Sequence, residues 1–559
     1  MNLRLLTLLA TFIAMDNISA NAFEYKEVYL PEGVKTTTAL KFNLNDVDRD
    51  WGIWGHNLNR IVGNKLPVEA RAMIDGKRSD EQICFSSQHV YNKIAAYISE
   101  NYGGAAASKT KAETQRFVIM PYDNDLACTC PICKARGNTT SNATPAVTAL
   151  ITKLCKAFPS HIFLTSYYQS TAHLPSKPLP SNAGVMISAI DWLMRSKPST
   201  KEDNFKQIIS QWQGVTDRIY VWDYINNFDD YATPFPCLEA FSQRISYYSK
   251  AGVKGLFLNG SGRDASAFSD MKTYVLASLM VNPDADWRTL CREFYAKNYP
   301  VAGTTLSNYV IALEQSYAER GRAIQWYTGV RQSIKDYLDV DTFNQFYNQL
   351  QSEMQQAGNP EKPRLERLLQ MLTLTRMEIN RIQGKPQVEN ESAPNFTINE
   401  IGWQWTDYLR QYKSITEAWQ RNTNVNAQSP EVRLKLKAVT PLDEDYTDLR
   451  PLTDGVDALQ GNYHCGWVLF TQGNVEMNLT NQRQNANATL RIQFMRSQRF
   501  RFSLPKLVEV YRDDKLVASA QPTAEIVTLA VGNQPMNAKL TLRIVPDGRK
   551  MAIGEISIE

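Results

Sequence analysis

Residues 162–168 read IFLTSYY, and residues 184–191 read GVMISAID. Each stretch is a short apolar run, rich in β-branched or aromatic residues, that ends in a polar side chain. Continuous apolar runs of this kind are typical of parallel strands that are buried on both faces. The two runs therefore predict two strands of a parallel sheet.

Comparable runs lie on both sides of this pair, at 37–42, 51–57, 83–87, 117–123, 218–224 and 255–260. Helix-like stretches such as 145–158 and 236–251 separate several of them, which indicates βαβ units. Eight strands would close a (β/α)8 TIM-like barrel, which we place at 47–300. The first two runs stand too close for a helix between them, so we expect 37–42 to pair with 25–30 in an N-terminal β-hairpin over 23–46.

The remainder of the chain changes pattern twice. Helical periodicity predicts a helical bundle over 301–427, with helices near 304–320, 322–337, 341–357, 362–383 and 403–421. From 428 to 559, short alternating strands predict a C-terminal β-sandwich, at 432–438, 467–471, 475–479, 488–494, 507–511, 526–531 and 540–545. The predicted fold class is thus α/β, with a helical and an all-β region added.

The first 22 residues have the pattern of a secretory signal peptide. Arg4 supplies a positive charge, residues 5–15 are mostly apolar, and Ala20-Asn21-Ala22 has the small-x-small form of a cleavage site. The sequence contains no later stretch of about 20 apolar residues, so we expect no transmembrane segment. The expected location is outside the cytoplasm, either periplasmic or extracellular.

Charge and composition exclude some classes of partner. The 559 residues contain 61 Lys and Arg against 57 Asp and Glu, a net charge of +4 that does not favour a nucleic-acid binder. Aromatic residues make up 10% of the chain, which fits a protein that stacks rings on the apolar faces of sugars, although large cores also use aromatic residues.

The eight cysteines include Cys128-x-Cys130-x-x-Cys133, a spacing that resembles a metal site. A structural zinc site normally has four ligands, and no nearby CxxC pair supplies a fourth. In an exported protein, disulfides that pin the loop after Asp125 are the favoured interpretation. We therefore expect no metal and no cofactor, with zinc as the less favoured alternative.

In a parallel barrel, the active site lies where the strands end at their carboxyl side. The polar and aromatic residues at those positions are His56, Asn57, Tyr122, Asp123, Asp125, Tyr167, Tyr168, Asp191, Trp192, Trp222, Asp223, Tyr224, Asn226 and Asn259. The sequence contains no nucleophile elbow, phosphate-binding glycine loop or HExxH helix, so acyl transfer, nucleotide chemistry and zincin proteolysis lose support. Carboxylates beside aromatic rings instead indicate glycoside chemistry.

Asp123 and Asp125 are the strongest catalytic candidates, because residues two apart on an extended strand face the same side. Alternatively, one of them caps a turn or pairs with Lys134 or Arg136. Asp223 is either an active-site carboxylate or the structural partner of an arginine. Asp191 could instead cap the following helix. His56 is either a core histidine or a donor to a substrate hydroxyl.

Several motifs in order resemble a family of exported proteins that is filed as domain of unknown function DUF4838. They are WGHN (54–57), CFS (84–86), DND (123–125), CTCPIC (128–133), WDY (222–224), PFP (234–236) and GVKGLF (252–257). That family resembles the barrels of α-glucuronidases and β-hexosaminidases. The resemblance implies catalytic acids at Asp123 and Asp125, although Asn124 separates two acids that are neighbours in hexosaminidase-like enzymes. The stretch 452–467 together with 507–511 resembles a galactose-binding-like β-sandwich.

The sequence therefore predicts an exported glycoside hydrolase that acts on a complex glycan or polysaccharide fragment. Asp125 would be the general acid, Asp123 would orient the substrate, and Asp223 or Asp191 would be the opposing carboxylate. The aromatic candidates would line the sugar subsite, and His56 and Asn57 would bind hydroxyls. The alternative is a non-catalytic carbohydrate-binding protein on a degenerate barrel, since no glutamate ends any of the runs. A structural or adhesion protein is a third possibility.

Overall fold

The structure is a computed structural model that describes residues 22–103, 115–194, 200–261, 266–383, 434–438 and 449–558. Short interruptions fall within these ranges, at 32, 34–36, 454, 456, 459–462, 465, 471–472, 482–484, 499 and 549. Residues 1–21 of the expected signal peptide and the predicted helix at 403–421 lie outside the described residues.

Seven parallel strands form the central sheet, in the order β1-β9-β8-β7-β6-β5-β2. They are Tyr25–Tyr29 (β1), Trp51–Ile53 (β2), Arg116–Val118 (β5), Ile162–Tyr167 (β6), Ala183–Ser188 (β7), Ile219–Tyr224 (β8) and Gly255–Asn259 (β9). Two further strands, Arg71–Ile74 (β3) and Lys77–Ile83 (β4), form a separate antiparallel hairpin. Strands β5 to β9 lie side by side in chain order, as expected for consecutive βαβ units.

The sheet curls far enough for its two edge strands, β1 and β2, to meet through side chains. The rings of Tyr25 and Trp51 pack edge to face at 5.4 Å, inside an interior cluster to which all seven strands or the residues just after them contribute. Glu27 accepts a hydrogen bond from the backbone N–H of Val47 (3.0 Å), and Asn45 exchanges hydrogen bonds with the backbone of Lys26. The barrel therefore closes through side chains and a short connecting segment at this seam.

Two strand predictions at the N-terminus were wrong. Residues 25–29 are not half of a hairpin but pair in parallel with β9, and residues 37–42 form the helix Thr37–Phe42. The adjacent Lys26 and Glu27 interrupt the apolar pattern of β1, although both are buried. The stretch 83–87 is also not a barrel strand, because Ile83 ends the β3–β4 hairpin. The parallel sheet of the described residues thus has seven strands, not the eight expected.

Helices cover the outside of the sheet, and the strand-to-strand connections supply most of them. Up to the end of the predicted barrel they are Thr37–Phe42, Val47–Asp50, Asn59–Val62, Gln88–Tyr102, Pro131–Arg136, Thr144–Ala157, Thr200–Gln213, Leu238–Lys250, Ser269–Val281 and Trp287–Asn298. Single-turn 3-10 segments add Val68–Ala70 and Gln169–Thr171. Apolar side chains of these helices form two large clusters on the outer face of the sheet.

Four helices follow in the region where the helical bundle was predicted. They are Gly303–Arg320, Val330–Asp336, Val340–Gln356 and Glu361–Gln383. They are not a separate core, because their buried residues belong to the same apolar cluster as the helices around β7 to β9. No described helix combines the length and apolar composition that crossing a membrane would require.

The C-terminal region forms two antiparallel sheets around a core of its own. Its strands are Leu434–Ala438 (β10), Val468–Phe470 (β11), Val475–Asn481 (β12), Asn485–Phe494 (β13), Leu507–Arg512 (β14), Lys515–Ala520 (β15), Ile526–Gln534 (β16), Lys539–Val545 (β17) and Met551–Ile558 (β18), with a 3-10 segment at Arg450–Leu452. One sheet has the order β10-β12-β17-β14-β15, and the other β11-β18-β13-β16. The predicted class is confirmed: a TIM-like α/β barrel with helices, followed by a β-sandwich.

Candidate active site

His56 lies in the loop that follows β2, at the carboxyl end of the parallel sheet. Its Nδ1 lies 2.7 Å from the backbone oxygen of Pro121, which identifies Nδ1 as the protonated nitrogen. That hydrogen bond leaves Nε2 on the open side, 3.9 Å from Oδ1 of Asp123. The positive φ of Gly55 (62°) forms the turn that brings His56 to this position.

The loop after β5 carries Asp123, Asn124 and Asp125, and we term it the acidic loop. The β3–β4 hairpin holds this loop in place. Buried Gln82 on β4 accepts a hydrogen bond from the N–H of Tyr122 (3.0 Å) and donates to Asn124 Oδ1 (2.9 Å). Asn124 donates in turn to the backbone oxygen of Glu81 (2.9 Å). Asn124 is therefore the anchor of the loop, and the two aspartates beside it are exposed.

Tyr168 follows β6 and stands among the acidic side chains. Burial raises the pKa of its hydroxyl to about 12, and the charges of Asp123, Asp191 and Asp125 add to the rise. A charge influences a neighbour in this way only at short range. Three of the four predicted carboxylates, from the loops after β5 and after β7, therefore act on the same phenol.

Two contacts fix Asp123 more closely. Its Oδ1 accepts a hydrogen bond from Gln169 Nε2 (2.9 Å) and lies 3.9 Å from Nε2 of His56. The His56 ring in turn lies 5.8 Å from that of Tyr168. No ion pair joins Asp123 or Asp125 to Lys134 or Arg136 within the described part of the chain. The ion-pair alternative that the sequence left open for these two aspartates thus has no support.

An aromatic wall borders the acidic group on the interior side of the barrel. The rings of Trp54 and Trp222 lie 5.9 Å apart, and Trp222 packs edge to face on Phe257 at 4.8 Å. Tyr224 stacks beside Trp222 at 6.5 Å, and burial raises the pKa of its hydroxyl well above the ordinary value. Half-buried Trp54, Trp222 and Tyr224 can present ring faces to the C–H surface of a sugar.

Asp223 does not belong to this group, contrary to the sequence prediction. Its side chain is completely buried and accepts hydrogen bonds from Arg244 Nη1 (2.9 and 3.0 Å) and the hydroxyl of Tyr248 (2.7 Å). Burial raises its pKa, and the positive charge of Arg244 opposes that rise. Since Trp222 faces the barrel interior, its neighbour Asp223 faces the helix Leu238–Lys250. The arginine-paired alternative is correct.

Three other residues that were predicted to line the sugar subsite instead pack inside the protein. Trp192 is buried, stacks on Phe205 at 4.2 Å and lies under the guanidinium of Arg244. Tyr167 packs against Trp212 at 6.2 Å, on the helix side of the sheet. Asn226 is buried and donates to the backbone oxygen of Gly260 (2.8 Å). Each lies on the wrong face, or too deep, for contact with a ligand at the mouth.

The remaining candidates keep half-buried positions near the strand ends. Asn57 donates to the backbone oxygen of Trp54 (3.0 Å), and Asn259 accepts from the N–H of Ser261 (3.2 Å). Burial, with the charge of Asp80, raises the pKa of the Tyr122 hydroxyl. These residues shape their loops and have partly exposed side chains.

Sequence reasoning missed Gln169, Tyr327 and Trp54 as members of the site. Trp54 belongs to the WGHN motif and could have been selected, because it precedes His56 at a strand end. Gln169 has a positive φ (48°), which the sequence does not reveal. Tyr327 precedes the helix Val330–Asp336, packs on Phe228 at 5.8 Å and contributes to the raised pKa values of Tyr168 and Tyr224.

The cysteines also differ from expectation. Cys84 joins the CxCxxC motif, and the four sulfur atoms all lie within 4.8 Å of one another, in a group that we term the cysteine cluster (Cys84, Cys128, Cys130 and Cys133). All four side chains are buried, and the seven described cysteines are free, so the expected disulfides are absent among them. The sequence prediction found three ligands and no nearby CxxC pair to complete them, whereas the fold brings in Cys84 from the end of the distant β3–β4 hairpin.

Solved structures provide distant likenesses. A family GH115 4-O-methyl-α-glucuronidase with specificity for decorated arabinogalactans is 9% identical, with a TM-score of 0.31, and the match covers 85% of this chain and 67% of that chain. A fucose-binding module of Streptococcus pneumoniae is 11% identical (TM-score 0.19), covering 22% of this chain and 92% of that one. A CBM32 module of a GH31 protein bound to GalNAc is 14% identical (TM-score 0.19), covering 22% and 95%. The fold assignment rests on the strand order and pairing described above.

No curated protein matches the chain at a significant level. A family match does exist, and it extends over residues 16–311, which is more than half of the chain and includes all seven strands of the barrel. The family is described as a domain of unknown function (DUF4838), as the motifs in the sequence indicated. The chain belongs to the DUF4838 family.

Proposed function

We propose that this protein is an exported glycoside hydrolase that acts on a complex glycan or polysaccharide fragment. The observation that carries the proposal is the polar group at the strand ends, where Oδ1 of Asp123 lies 3.9 Å from Nε2 of His56 and the His56 ring lies 5.8 Å from that of Tyr168. The charges of Asp123, Asp191 and Asp125 all raise the pKa of the Tyr168 hydroxyl. Glycoside hydrolysis requires two carboxyl groups on opposite sides of the scissile bond, and these acids come from two different loops.

In the proposed mechanism, Asp125 protonates the leaving oxygen and Asp191 is the opposing carboxylate. Asp191 takes this role because Asp223 is committed to Arg244 inside the helix layer. Asp123, held by Gln169, orients the substrate, and Nε2 of His56 binds a sugar hydroxyl beside it. Tyr168 donates a hydrogen bond to whichever carboxylate or sugar oxygen faces it, since burial keeps its proton in place at neutral pH.

The aromatic wall supplies the binding surface. Trp54, Trp222 and Tyr224 lie at the strand ends and are half-buried, so their ring faces can pack on the axial C–H groups of a pyranose. The polar groups on the loops after β5 and β7 would then contact the hydroxyls at its edge. A carbohydrate is the ligand class that fits both surfaces together.

The test is a product assay of the full exported chain against a broad panel of glycans, with release of reducing sugar as the readout. We expect hydrolysis of at least one glycan, and we expect Asp125→Asn to reduce its rate by about 10²- to 10⁴-fold. The matched control is Asp217→Asn, an exposed aspartate at the opposite end of the barrel, before β8. An Asp125→Asn protein with full activity would remove the assignment of the general acid.

A non-catalytic carbohydrate-binding protein is the second candidate, and one observation favours it. The side chain of Asp123 is 65% exposed and already accepts a hydrogen bond from an amide, an arrangement suited to holding a hydroxyl. This candidate predicts saturable glycan binding, measured by calorimetry, with no product from the same glycan. Hydrolysis of the bound glycan would exclude it.

A further inference from the structure

The cysteine cluster lies outside the candidate active site and none of the proposed chemistry uses it. Cys84 directly follows β4, Cys128 and Cys130 lie in the loop after Asp125, and Cys133 is in the helix Pro131–Arg136. Two separate segments of the chain, one ending at Cys84 and the other spanning 128–133, therefore supply the four sulfur atoms. All four are buried in an apolar cluster that also contains Ile83, Phe85 and Ala127.

The distances between the sulfur atoms match a tetrahedral metal site. Sγ of Cys84 lies 3.7 Å from Sγ of Cys130 and 3.8 Å from Sγ of Cys133. Thiolates bind zinc at about 2.3 Å, and a regular tetrahedron of that radius has sulfur–sulfur edges of about 3.8 Å. A disulfide would instead bring two sulfurs to about 2.05 Å. The cluster has the spacing of ligands around one ion.

The surroundings also suit bound thiolates. The backbone N–H of Met73 donates to Sγ of Cys128 (3.2 Å), and the hydroxyl of Ser86 lies 3.1 Å from Sγ of Cys133. Such hydrogen bonds orient the sulfur ligands and delocalise their charge, as outer contacts do around metal centres. Thr129, between two of the cysteines, donates through both N–H and hydroxyl to the backbone oxygen of Met73 (2.9 Å each).

We propose that the cysteine cluster is a structural zinc site that fastens the β3–β4 hairpin to the loop after β5. Four thiolates in a closed, buried tetrahedron leave no position for water or substrate, which is the arrangement of structural and not catalytic zinc. Soft sulfur ligands in this geometry select zinc over the hard cations Mg²⁺ and Ca²⁺. Each cysteine releases its proton on binding, so uptake of the ion lowers the pH of an unbuffered solution.

The site has a consequence for the acidic loop. The hairpin that carries Cys84 also carries Gln82, which holds Tyr122 and Asn124. Zinc would therefore fix the hairpin at one end and, through it, the loop that presents Asp123 and Asp125. This consequence depends on the proposed function, whereas zinc binding itself does not.

The experiment measures metal in the full chain, purified without chelator or added metal, by inductively coupled plasma mass spectrometry. We expect about one zinc ion per chain. Cys84→Ala should lose the zinc, whereas Cys155→Ala, a matched variant at a buried free cysteine outside the cluster, should retain it. Cobalt bound in place of zinc should show the visible absorption of tetrahedral thiolate coordination.

A second measurement does not depend on any variant. The unreduced wild-type protein is unfolded in chelator, alkylated, digested and mapped by mass spectrometry. Alkylation of all four cluster cysteines, together with stoichiometric zinc, supports the site. Disulfide-linked peptides among these cysteines, or wild-type protein without zinc, would overturn it. Neither result bears on glycan hydrolysis, so failure of this proposal is distinguishable from failure of the proposed function.

Discussion

The carboxylate of Asp223 and the guanidinium of Arg244 form an ion pair at 2.9 Å, with side-chain exposures of 0% and 6%. The pair lies between β8 and the helix Leu238–Lys250. Arg244 also donates to the backbone oxygen of Trp192 (2.7 Å) and covers its ring. One arginine thus joins a barrel strand, a helix and the loop that carries Asp191, so the role of Asp223 is structural and its effect on the site is indirect.

We expect Asp223→Leu and Arg244→Met each to lower the free energy of unfolding by about 3–5 kcal/mol, because each leaves a buried charge unpaired or uncompensated. The double variant should lose less than the sum of the two, by roughly 0.5–3 kcal/mol. Urea unfolding followed by circular dichroism measures all three. Arg218→Met is the control, since its pair with Glu24 is partly exposed at 3.5 Å and should matter by less than about 1 kcal/mol. Strict additivity would contradict the pairing.

Tyr168 and Tyr167 are neighbours in sequence that face opposite sides of the sheet. Tyr168→Phe removes the hydroxyl among the carboxylates, and we expect about a tenfold loss of kcat/KM, equivalent to one hydrogen bond of roughly 1.4 kcal/mol. Tyr167→Phe, whose ring packs on Trp212, should leave kcat/KM within about twofold of wild type. Equal losses of kcat/KM in both variants would show that the Tyr168 hydroxyl does not contribute specifically to catalysis.

The apolar runs predicted six of the seven barrel strands, because strands buried on both faces have a strong composition signal. Because both faces of these strands are apolar, the composition does not indicate which residues face the barrel interior. In WDY (222–224), Trp222 faces the interior and Asp223 the helices, and nothing local distinguishes the two faces. β1 was missed as a barrel strand because Lys26 and Glu27 break its pattern, and only tertiary contacts bury them.

The candidate site could likewise be predicted only in part from the sequence. Asp123 and Asp125 could be selected from their place after a strand, but β5 ends at Val118, so a loop and not an extended strand presents them. Gln169, Tyr327 and the anchoring of Asn124 by Gln82 could not be predicted, since they depend on contacts between distant segments. Cys84 is separated from the CxCxxC motif by a helix and a strand, so ligand spacing alone gave three cysteines where the fold brings together four.

Gln82 positions the acidic loop, and its effect should appear in kinetics as well as in stability. Gln82→Met keeps the volume but leaves the buried N–H of Tyr122 without its acceptor, a cost of about 1–3 kcal/mol. Because the loop presents Asp123 and Asp125, we expect kcat to fall at least about tenfold. Gln88→Met, at an exposed glutamine that contacts Asn92, is the control. Lower stability with unchanged kcat would limit Gln82 to a structural role.

We expect Glu314 to make the stability of the barrel depend on pH. Its carboxylate accepts hydrogen bonds from the N–H groups of Cys237 (2.8 Å) and Leu238 (2.7 Å) at the start of the helix Leu238–Lys250. Burial nevertheless raises its pKa from 4.5 to about 7. Between these two pH values the folded chain keeps the proton on Glu314, whereas the unfolded chain has released it. Stability therefore falls as the pH rises through this window.

Glu314→Gln removes the titration and should flatten that slope. Urea unfolding at several pH values gives the free energy of unfolding of both proteins. The difference, wild type minus variant, should fall by up to about 3 kcal/mol as the pH rises from roughly 4.5 to 7. Glu319→Gln, on the exposed side of the helix Gly303–Arg320 that also carries Glu314, should keep the wild-type pH dependence. A difference that grows with rising pH would mean that the N–H donors of Cys237, Leu238 and Glu239 outweigh burial and hold the carboxylate ionised.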